Sequence, residues 1–220
     1  MMRSLISQGY CLIRGVFGGD ELVGLRQAAD RVAHESGSAC VRKLGGRSRV
    51  FRDLASSGCL SELLPGFIPV RSILFDKTAQ ENWPVAWHQD LTICVREMCD
   101  VAGYGPWSVK DGVHHVQPPV KVLKQMFTLR VHLDFTPSTN GALRVIPNSH
   151  SLGRLSAEEI GNEVEKAEVV CECDAGDVLA MSPLLLHASR RSESPSRRRV
   201  IHIEYAPRGV LDSPLEWCEE

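Results

Sequence analysis

The sequence predicts a mainly β protein with flanking α-helices, built as a jelly-roll or cupin-type barrel, and three observations lead to this fold class. Apolar residues with helical spacing are concentrated in about the first 65 residues. From about residue 68 to about residue 207, short apolar or alternating runs are separated by Gly, Pro and Asn, which is the pattern of many short strands. A length of 220 residues is typical of one such domain. We therefore expect a single domain over residues 1–220, in which a helical support precedes the barrel.

The helical support, about residues 1–65, begins with a predicted strand and contains two predicted helices. Apolar residues recur on one helical face after Asp20, which is a suitable N-cap. Pro65 and Gly66 would end the second helix. The expected elements are a strand over 9–14, a helix over 21–35, a loop or hairpin over 41–50 and a short helix over 54–64.

The barrel part, about residues 68–207, is predicted to contain seven strands and one helix. The helix over 157–166 starts with a capping box formed by Ser156 and Glu159. The segment over 178–186 is a buried apolar run that leads directly to His187. The expected strands are 70–77, 86–95, 127–134, 142–146, 169–173, 178–186 and 198–205.

The strand over 127–134 alternates almost perfectly between apolar and polar residues. Its odd-numbered residues are apolar, whereas Arg130 and His132 belong to the polar, even-numbered face. Such a face usually meets water, but in a barrel that holds a charged ligand it can line the cavity. His132, and His202 in the last strand, are therefore candidates either for substrate contact or for hydrogen-bonded core histidines.

A long segment over 98–120 separates two of the predicted strands and is rich in Gly, Pro and aromatic residues. Loops of this length are uncommon inside compact domains and are usually functional. We predict that it is a lid or substrate-shaping loop, with Trp107 as a candidate substrate contact. The alternative is a surface excursion packed by its own Trp107.

Three residues of metal-binding type occur in an informative order. His88 and Asp90 are two positions apart on a predicted strand and so share one face, and His187 lies about a hundred residues later. Two histidines and one carboxylate can hold Fe(II) on one side and leave positions open on the metal. Zinc accepts the same ligand types, so the spacing leaves both metals possible.

An arginine cluster follows the second histidine. Arg198 lies eleven residues after His187, and a guanidinium suits an oxygen-rich acid that would also bind the metal. Strand phase places Arg198 on one face and its neighbours Arg197 and Arg199 on the other. Arg198 is therefore the expected ligand of that acid.

Composition narrows the class of protein. A formal net charge of −2 gives no basic field, so no nucleic-acid partner is expected. There is no apolar run of about 18 residues and no signal-peptide core at the start, so no membrane partner is expected. The eight cysteines include no CxxC pair and are expected to be free thiols in a reducing cytoplasm. We expect a cytoplasmic monomer or homodimer that acts on a small molecule.

Several segments together resemble one enzyme family. The chain looks like a phytanoyl-CoA dioxygenase-type (PhyH-like) Fe(II)/2-oxoglutarate-dependent oxygenase. The likeness keeps the family's motif order over most of the chain. The segments that carry it are Gly9-Tyr10-Cys11-Leu12-Ile13-Arg14-Gly15-Val16, Ile73-Leu74-Phe75-Asp76-Lys77, Trp87-His88-Gln89-Asp90-Leu91, Asn140-Gly141-Ala142-Leu143-Arg144-Val145-Ile146-Pro147-Asn148-Ser149-His150, Ala175-Gly176-Asp177-Val178, His187 and Arg198.

The resemblance implies a double-stranded β-helix in which His88, Asp90 and His187 hold Fe(II). It implies that Arg198 binds the far carboxylate of the cosubstrate 2-oxoglutarate. Arg130 falls where the family has a cosubstrate-contacting residue, commonly an aromatic one. The implied reaction uses O2, releases succinate and CO2, and hydroxylates or otherwise oxidises a C–H bond of a small molecule.

Two further residues and two alternative functions complete the predictions made from the sequence. Lys77 is expected to face either a cosubstrate carboxylate or water. The carboxylate of Asp90 excludes the halogenases of this type, in which a small residue leaves room for chloride. The alternatives are a cupin-like hydrolase or isomerase that does not use 2-oxoglutarate, and a non-catalytic barrel that binds a small molecule.

Overall fold

The computed structural model describes residues 2–193 and 196–218, and β-strands dominate them. The helices are α1 (Met2–Gln8), α2 (Gly19–Ser36), α3 (Leu44–Arg47), α4 (Arg49–Ala55), α5 (Gly58–Ser61), α6 (Val120–Leu123) and α7 (Ala157–Glu163). The strands are β1 (Tyr10–Ile13), β2 (Cys40–Arg42), β3 (Phe67–Lys77), β4 (Val85–His88), β5 (Ile93–Val95), β6 (Trp107–Lys110), β7 (Val113–Val116), β8 (Phe127–His132), β9 (Leu143–Val145), β10 (Val169–Cys171), β11 (Val178–Met181), β12 (His187–Ser189) and β13 (Arg198–Pro207).

Two antiparallel sheets form the barrel. The major sheet has the strand order β1-β11-β8-β13-β3-β2, and the minor sheet has the order β10-β9-β12-β4. Strands that are distant in sequence pair with one another, as expected for a double-stranded β-helix. One cavity is lined by side chains from both sheets, which shows that the sheets face each other across it. The predicted jelly-roll or cupin-type fold is therefore confirmed.

The N-terminal helices cover the outer face of the major sheet. Leu129 and Val131 of β8 are completely buried in one apolar cluster with Leu25 and Ala29 of α2. Burial of each such aliphatic side chain stabilises the fold by about 1.5–3 kcal/mol. Because alternate residues of a strand point to opposite faces, the polar residue Arg130 of β8 faces the barrel interior.

A tight turn ties the N-terminal segment to the major sheet. The buried carboxylate of Asp177 accepts hydrogen bonds from the backbone amides of Gly15 (2.9 Å) and Asp174 (2.8 Å) and from Arg14 (2.7 Å). Gly176 in this turn has a φ of 94°, which L-residues rarely adopt. A Cβ built on Gly176 would lie 1.9 Å from the carbonyl oxygen of Phe17, so only glycine fits here.

The substitution Gly176→Ala is expected to lower the free energy of unfolding by more than about 2 kcal/mol, because it adds a backbone clash to an unfavourable φ. Urea denaturation measures the change. Gly161→Ala is the matched control, since Gly161 lies in α7 with no heavy atom within 4 Å of the added Cβ. The control is expected to stabilise the protein by about 0.5–1 kcal/mol. Equal stability of the two variants would contradict the role given to this turn.

The segment over 98–120, which was expected to be a lid or substrate-shaping loop, contains regular structure. It forms the hairpin of β6 and β7, which pairs with β5 in a third sheet of order β5-β7-β6. Trp107 lies opposite Val116 in this hairpin and packs in an apolar cluster with Tyr104. The sequence did not reveal these two strands because the Gly and Pro residues lie at their ends and the strands are too short to give a clear alternating pattern. The predicted role as a lid stays a prediction.

Some helices and strands begin or end at residues other than those predicted from the sequence. The predicted strand over 86–95 is interrupted, so β4 ends at His88 and Asp90 follows it in an irregular segment before β5. Helix α2 begins after Gly18, which makes no side-chain cap, so Asp20 lies in the first turn instead of at the N-cap. The capping box of Ser156 and Glu159 is confirmed at the start of α7. Among the described helices, none has the length and apolar character needed to cross a membrane.

Candidate metal centre and cosubstrate cavity

The structure brings the three predicted metal ligands together. Strands β4 and β12 are antiparallel neighbours, and His88 lies directly opposite His187 with 4.2 Å between the ring centroids. Asp90 lies between them: its Oδ1 is 3.7 Å from Nε2 of His88, and its Oδ2 is 3.6 Å from Nε2 of His187. One nitrogen or oxygen atom from each residue falls within 4.8 Å of the others. This spacing allows all three side chains to contact one ion.

Asp90 is held by the backbone around it and by its neighbour Gln89. The backbone amide of Asp90 donates to the carbonyl of Pro183 at 2.8 Å. The buried Gln89 side chain points away from the metal site and donates to the carbonyls of Gly153 (2.7 Å) and Leu184 (2.6 Å). The side-chain oxygen of Gln89 also accepts from the amide of Leu155 at 2.9 Å. The carboxylate therefore has a fixed position although no strand carries it.

Both histidines are oriented by backbone carbonyls. Nδ1 of His88 lies 2.8 Å from the carbonyl oxygen of Ala86, and Nδ1 of His187 lies 2.9 Å from that of Leu185. A proton on each Nδ1 satisfies these contacts and leaves the lone pair of each Nε2 directed at Asp90. Metal-binding histidines are commonly oriented in this way, by a hydrogen bond from the other ring nitrogen. The tautomers that the contacts favour are therefore those that a metal requires.

Electrostatics supports the same protonation state. Burial lowers the pKa of His187 to about 4, and the nearby Asp90 only partly offsets this effect. Burial opposes ionisation of Asp90, but attraction to His187, His202 and His88 outweighs it and holds the pKa of the carboxyl below its usual value. At neutral pH the site thus presents a carboxylate and a neutral His187, and metal ions bind these deprotonated forms.

The triad opens into a cavity of about 160 Å³ between the two sheets. This volume is below the roughly 300–1,000 Å³ of most ligand pockets, so the cavity suits small molecules. Three cations and one acidic residue line it. The lining residues are Phe75, Lys77, Trp83, Val85, His88, Asp90, Arg130, Leu143, His187, Ser189, Arg198 and His202.

The arginine selected by strand phase is the one that reaches the cavity. Arg198 is 4% exposed and donates from Nη1 to the carbonyl of Gly141, while its Nε has no hydrogen-bond partner in the described residues. Arg197 and Arg199 point to the other side. Arg197 pairs with Asp76 at 2.7 Å, and Arg199 pairs with Asp134 at 2.7 Å.

Lys77 lies beside Arg198, because the two residues are register partners on β3 and β13. Its ammonium donates to the carbonyl of Trp83 at 2.5 Å and to Oγ of Ser189 at 3.3 Å, and it lies 4.8 Å from the centre of the Trp83 ring. Burial, followed by repulsion from Arg198 and Arg130, lowers the pKa of Lys77 to about 7. Arg198 and Lys77 thus form one cationic end of the cavity.

Of the other predicted residues, Arg130 and His202 line the cavity, whereas His132 and Trp107 do not. Nη1 of Arg130 donates to Nδ1 of His202 at 3.0 Å. His132 is 1% exposed, and its Nδ1 lies 3.2 Å from the hydroxyl of Thr136, so it is a buried core histidine. Trp107 belongs to the hairpin described above, outside the cavity lining.

Sequence reasoning did not select Ser189 and Trp83, which also line the cavity. A signal existed for Ser189, because it is two residues after His187 on a strand and therefore shares its face. No such signal existed for Trp83, which precedes β4 and reaches the cavity through the path of its loop.

The low pKa of Lys77 predicts a pH dependence for the binding of an anion in this cavity. Because the free protein loses the Lys77 proton as the pH rises through about 7, the affinity for a dicarboxylate is expected to fall above that pH, at most tenfold per pH unit. Calorimetric titration with 2-oxoglutarate from about pH 6 to about pH 8 measures this. Lys77→Met should bind more weakly at low pH and show a flatter profile. An unchanged profile in this variant would contradict the assignment.

The family model for phytanoyl-CoA dioxygenase (PhyH) matches residues 6–200. No curated protein matches.

Similar solved structures share the fold at low sequence identity. The epimerase SnoN, in complex with Fe3+, alpha ketoglutarate and nogalamycin RO, has a TM-score of 0.72 and 18% identity over 93% of this chain and 81% of its own. HygX from Streptomyces hygroscopicus, with nickel and 2-oxoglutarate bound, has a TM-score of 0.67 and 17% identity over 94% and 86%. EctD from S. alaskensis, with bound Fe, has a TM-score of 0.72 and 18% identity over 93% and 75%. With the family match over most of its length, the chain belongs to the phytanoyl-CoA dioxygenase (PhyH) family.

Proposed function

We propose that the protein is a non-haem Fe(II)- and 2-oxoglutarate-dependent oxygenase that oxidises a C–H bond of a small molecule. The observation that carries this proposal is the convergence of His88, Asp90 and His187 at the wall of a cavity whose other polar residues are mostly cationic. The ligand set is the one that suits Fe(II) with open coordination positions.

The residues of the site fit a bound metal. Oδ2 of Asp90 is buried and has no hydrogen-bond partner in the part of the chain that the structure describes. Such an atom is costly to bury unless it has a partner, and a cation at the centre of the triad would supply one. Nε2 of His88 and of His187 face the same point, so His88, Asp90 and His187 are proposed to hold the ion.

The cavity also fits an acidic cosubstrate. Arg198 and Lys77 are proposed to bind the far carboxylate of 2-oxoglutarate, because both are buried and neither pairs with a carboxylate among residues 2–193 and 196–218. Ser189 stands beside Lys77 and can donate a hydroxyl hydrogen bond to the same group. The crystals of HygX and SnoN, which contain a metal together with 2-oxoglutarate, support the choice of this acid.

The metal would supply O2 activation, and the protein's own residues would supply position and exclusion of water. Contacts of Nδ1 of His88 and of His187 with backbone carbonyls keep each Nε2 directed at the position of the metal. Phe75, Val85 and Leu143 give the cavity apolar walls that limit access of water to the reacting atoms.

The proposal is tested by coupled assays with Fe(II) and 2-oxoglutarate. The purified protein should consume O2 and form succinate, slowly without a substrate and faster with the active fraction of a metabolite extract. A zinc hydrolase or isomerase on the same barrel, or a non-catalytic binder, would form no succinate under any of these conditions. Absence of 2-oxoglutarate binding to the Fe(II)-loaded protein without O2 would refute the proposal independently of the substrate.

A further inference from the structure

Arg130 is a buried cation that the proposed cosubstrate site leaves without an anion. It is 7% exposed, lines the cavity, and has no carboxylate oxygen within 4 Å in the described residues. One N–H group donates to Nδ1 of His202, and its Nε has no hydrogen-bond partner among residues 2–193 and 196–218. A guanidinium carries five N–H donors, and burial of unpaired donors and charge is costly.

The groups around Arg130 do not neutralise it. Glu204 contacts His202 at 3.4 Å, but its carboxylate pairs with Arg71 at 3.0 Å. Burial raises the pKa of the nearby thiols of Cys171 and Cys173 to about 12, so both are uncharged at neutral pH. Asp90 attracts Arg130 but lies beyond ion-pair distance, and its oxygens face the two histidines.

Arg130 and Arg198 enter the cavity from different strand positions, although their charges still repel each other. Arg130 lies opposite His202 in the pairing of β8 with β13, and Arg198 is four residues from His202 on β13. At about 3.3 Å per residue the Cα atoms of Arg198 and His202 are roughly 13 Å apart along the strand. The cosubstrate is a dianion, with one carboxylate at Arg198 and the other at the metal. With a divalent metal and this dianion bound, the cavity retains a positive charge even when Lys77 is neutral.

We infer that Arg130 is a specificity-determining residue and that the substrate is a small organic carboxylic acid whose carboxylate binds Arg130. The planar guanidinium matches a carboxylate with two parallel hydrogen bonds. Phe75, whose ring centre lies 5.7 Å from the Arg130 guanidinium, forms with Val85 and Leu143 an apolar surface for the hydrocarbon part of such an acid. This inference rests on the proposed function and adds the substrate class to it.

The test compares carboxylates with their uncharged amides. Protein loaded with Fe(II) and 2-oxoglutarate without O2 is titrated with propanoate, butanoate and benzoate and, separately, with propanamide, butanamide and benzamide. The wild-type protein is expected to bind each acid at least about tenfold more tightly than its amide, which corresponds to one charge-assisted contact. Arg130→Gln should lose this preference, and Arg130→Lys should retain part of it.

Two controls separate the possible outcomes. Arg130→Gln should keep at least about half of the wild-type affinity for 2-oxoglutarate, because Arg198 and Lys77 bind the cosubstrate and loss of Arg130 removes a repulsion that lowers the pKa of Lys77. Arg208→Gln, which changes an exposed arginine after β13, should behave as wild type in both titrations. Equal binding of acids and amides by the wild-type protein would overturn the substrate class, and this outcome needs no variant.

Loss of 2-oxoglutarate binding in Arg130→Gln, while the wild-type protein binds it, would instead make Arg130 a cosubstrate ligand and would overturn the inference alone. Failure of the wild-type protein to bind 2-oxoglutarate would overturn the proposed function, and the substrate class with it.

Discussion

Alanine at any one of His88, Asp90 and His187 is expected to abolish succinate formation from 2-oxoglutarate. Each variant removes one of the three atoms that converge within 4.8 Å, and two protein ligands cannot hold the metal in the same position. Loss of a residue that merely orients a ligand weakens metal binding 10–100-fold, so loss of a ligand should reduce turnover by more than about 100-fold. Succinate release at saturating Fe(II) and 2-oxoglutarate measures the effect.

The fold of these variants should be retained, because the side chains lie at a cavity wall and not in the main apolar clusters. Circular dichroism and thermal unfolding check this. His34→Ala, at an exposed position of α2, is the matched control and should keep full activity. Full activity in all three site variants would exclude this centre.

The substitution Arg198→Met is expected to raise the 2-oxoglutarate concentration needed for half-maximal rate by about 10- to 150-fold. A charge-assisted hydrogen bond to a carboxylate contributes about 1.5–3 kcal/mol, and methionine keeps much of the side-chain volume while removing the charge. The maximal rate should change less than this requirement, because Arg198 is not one of the three residues that converge at the metal site. Steady-state kinetics with varied 2-oxoglutarate measures both quantities.

Arg208→Met is the control, since it removes the same charge from an exposed turn. It should leave the 2-oxoglutarate requirement unchanged. If Arg198→Met keeps the wild-type requirement, another cation holds the cosubstrate, and Lys77 and Arg130 become the residues to test.

Much of the site could be predicted because strand geometry is simple. The alternation of side chains along a strand distinguished Arg198 from its neighbours Arg197 and Arg199, which pair with carboxylates on the opposite side. The same rule allowed the polar face of β8 to line a cavity, and Arg130 is found there. The order of the two histidines and the aspartate indicated a shared metal, and the pairing of β4 with β12 brings them together.

Other features depend on the path of the chain between strands, which local patterns do not encode. Asp90 shares the site with His88, although β4 has already ended, because Gln89 and the carbonyl of Pro183 fix the following segment. Trp83 reaches the cavity from an irregular segment. His132 has the strand phase of Arg130, yet it is enclosed near Thr136 and lies outside the cavity lining.

The most direct test of the central claim is a crystal structure of the protein grown without O2 in the presence of Fe(II) and 2-oxoglutarate. Anomalous diffraction at the iron edge should show one iron per chain, bound by Nε2 of His88, Nε2 of His187 and a carboxylate oxygen of Asp90. The far carboxylate of 2-oxoglutarate should lie at Arg198 and Lys77. Iron at any other position, or these three side chains free of metal in fully loaded crystals, would contradict the account.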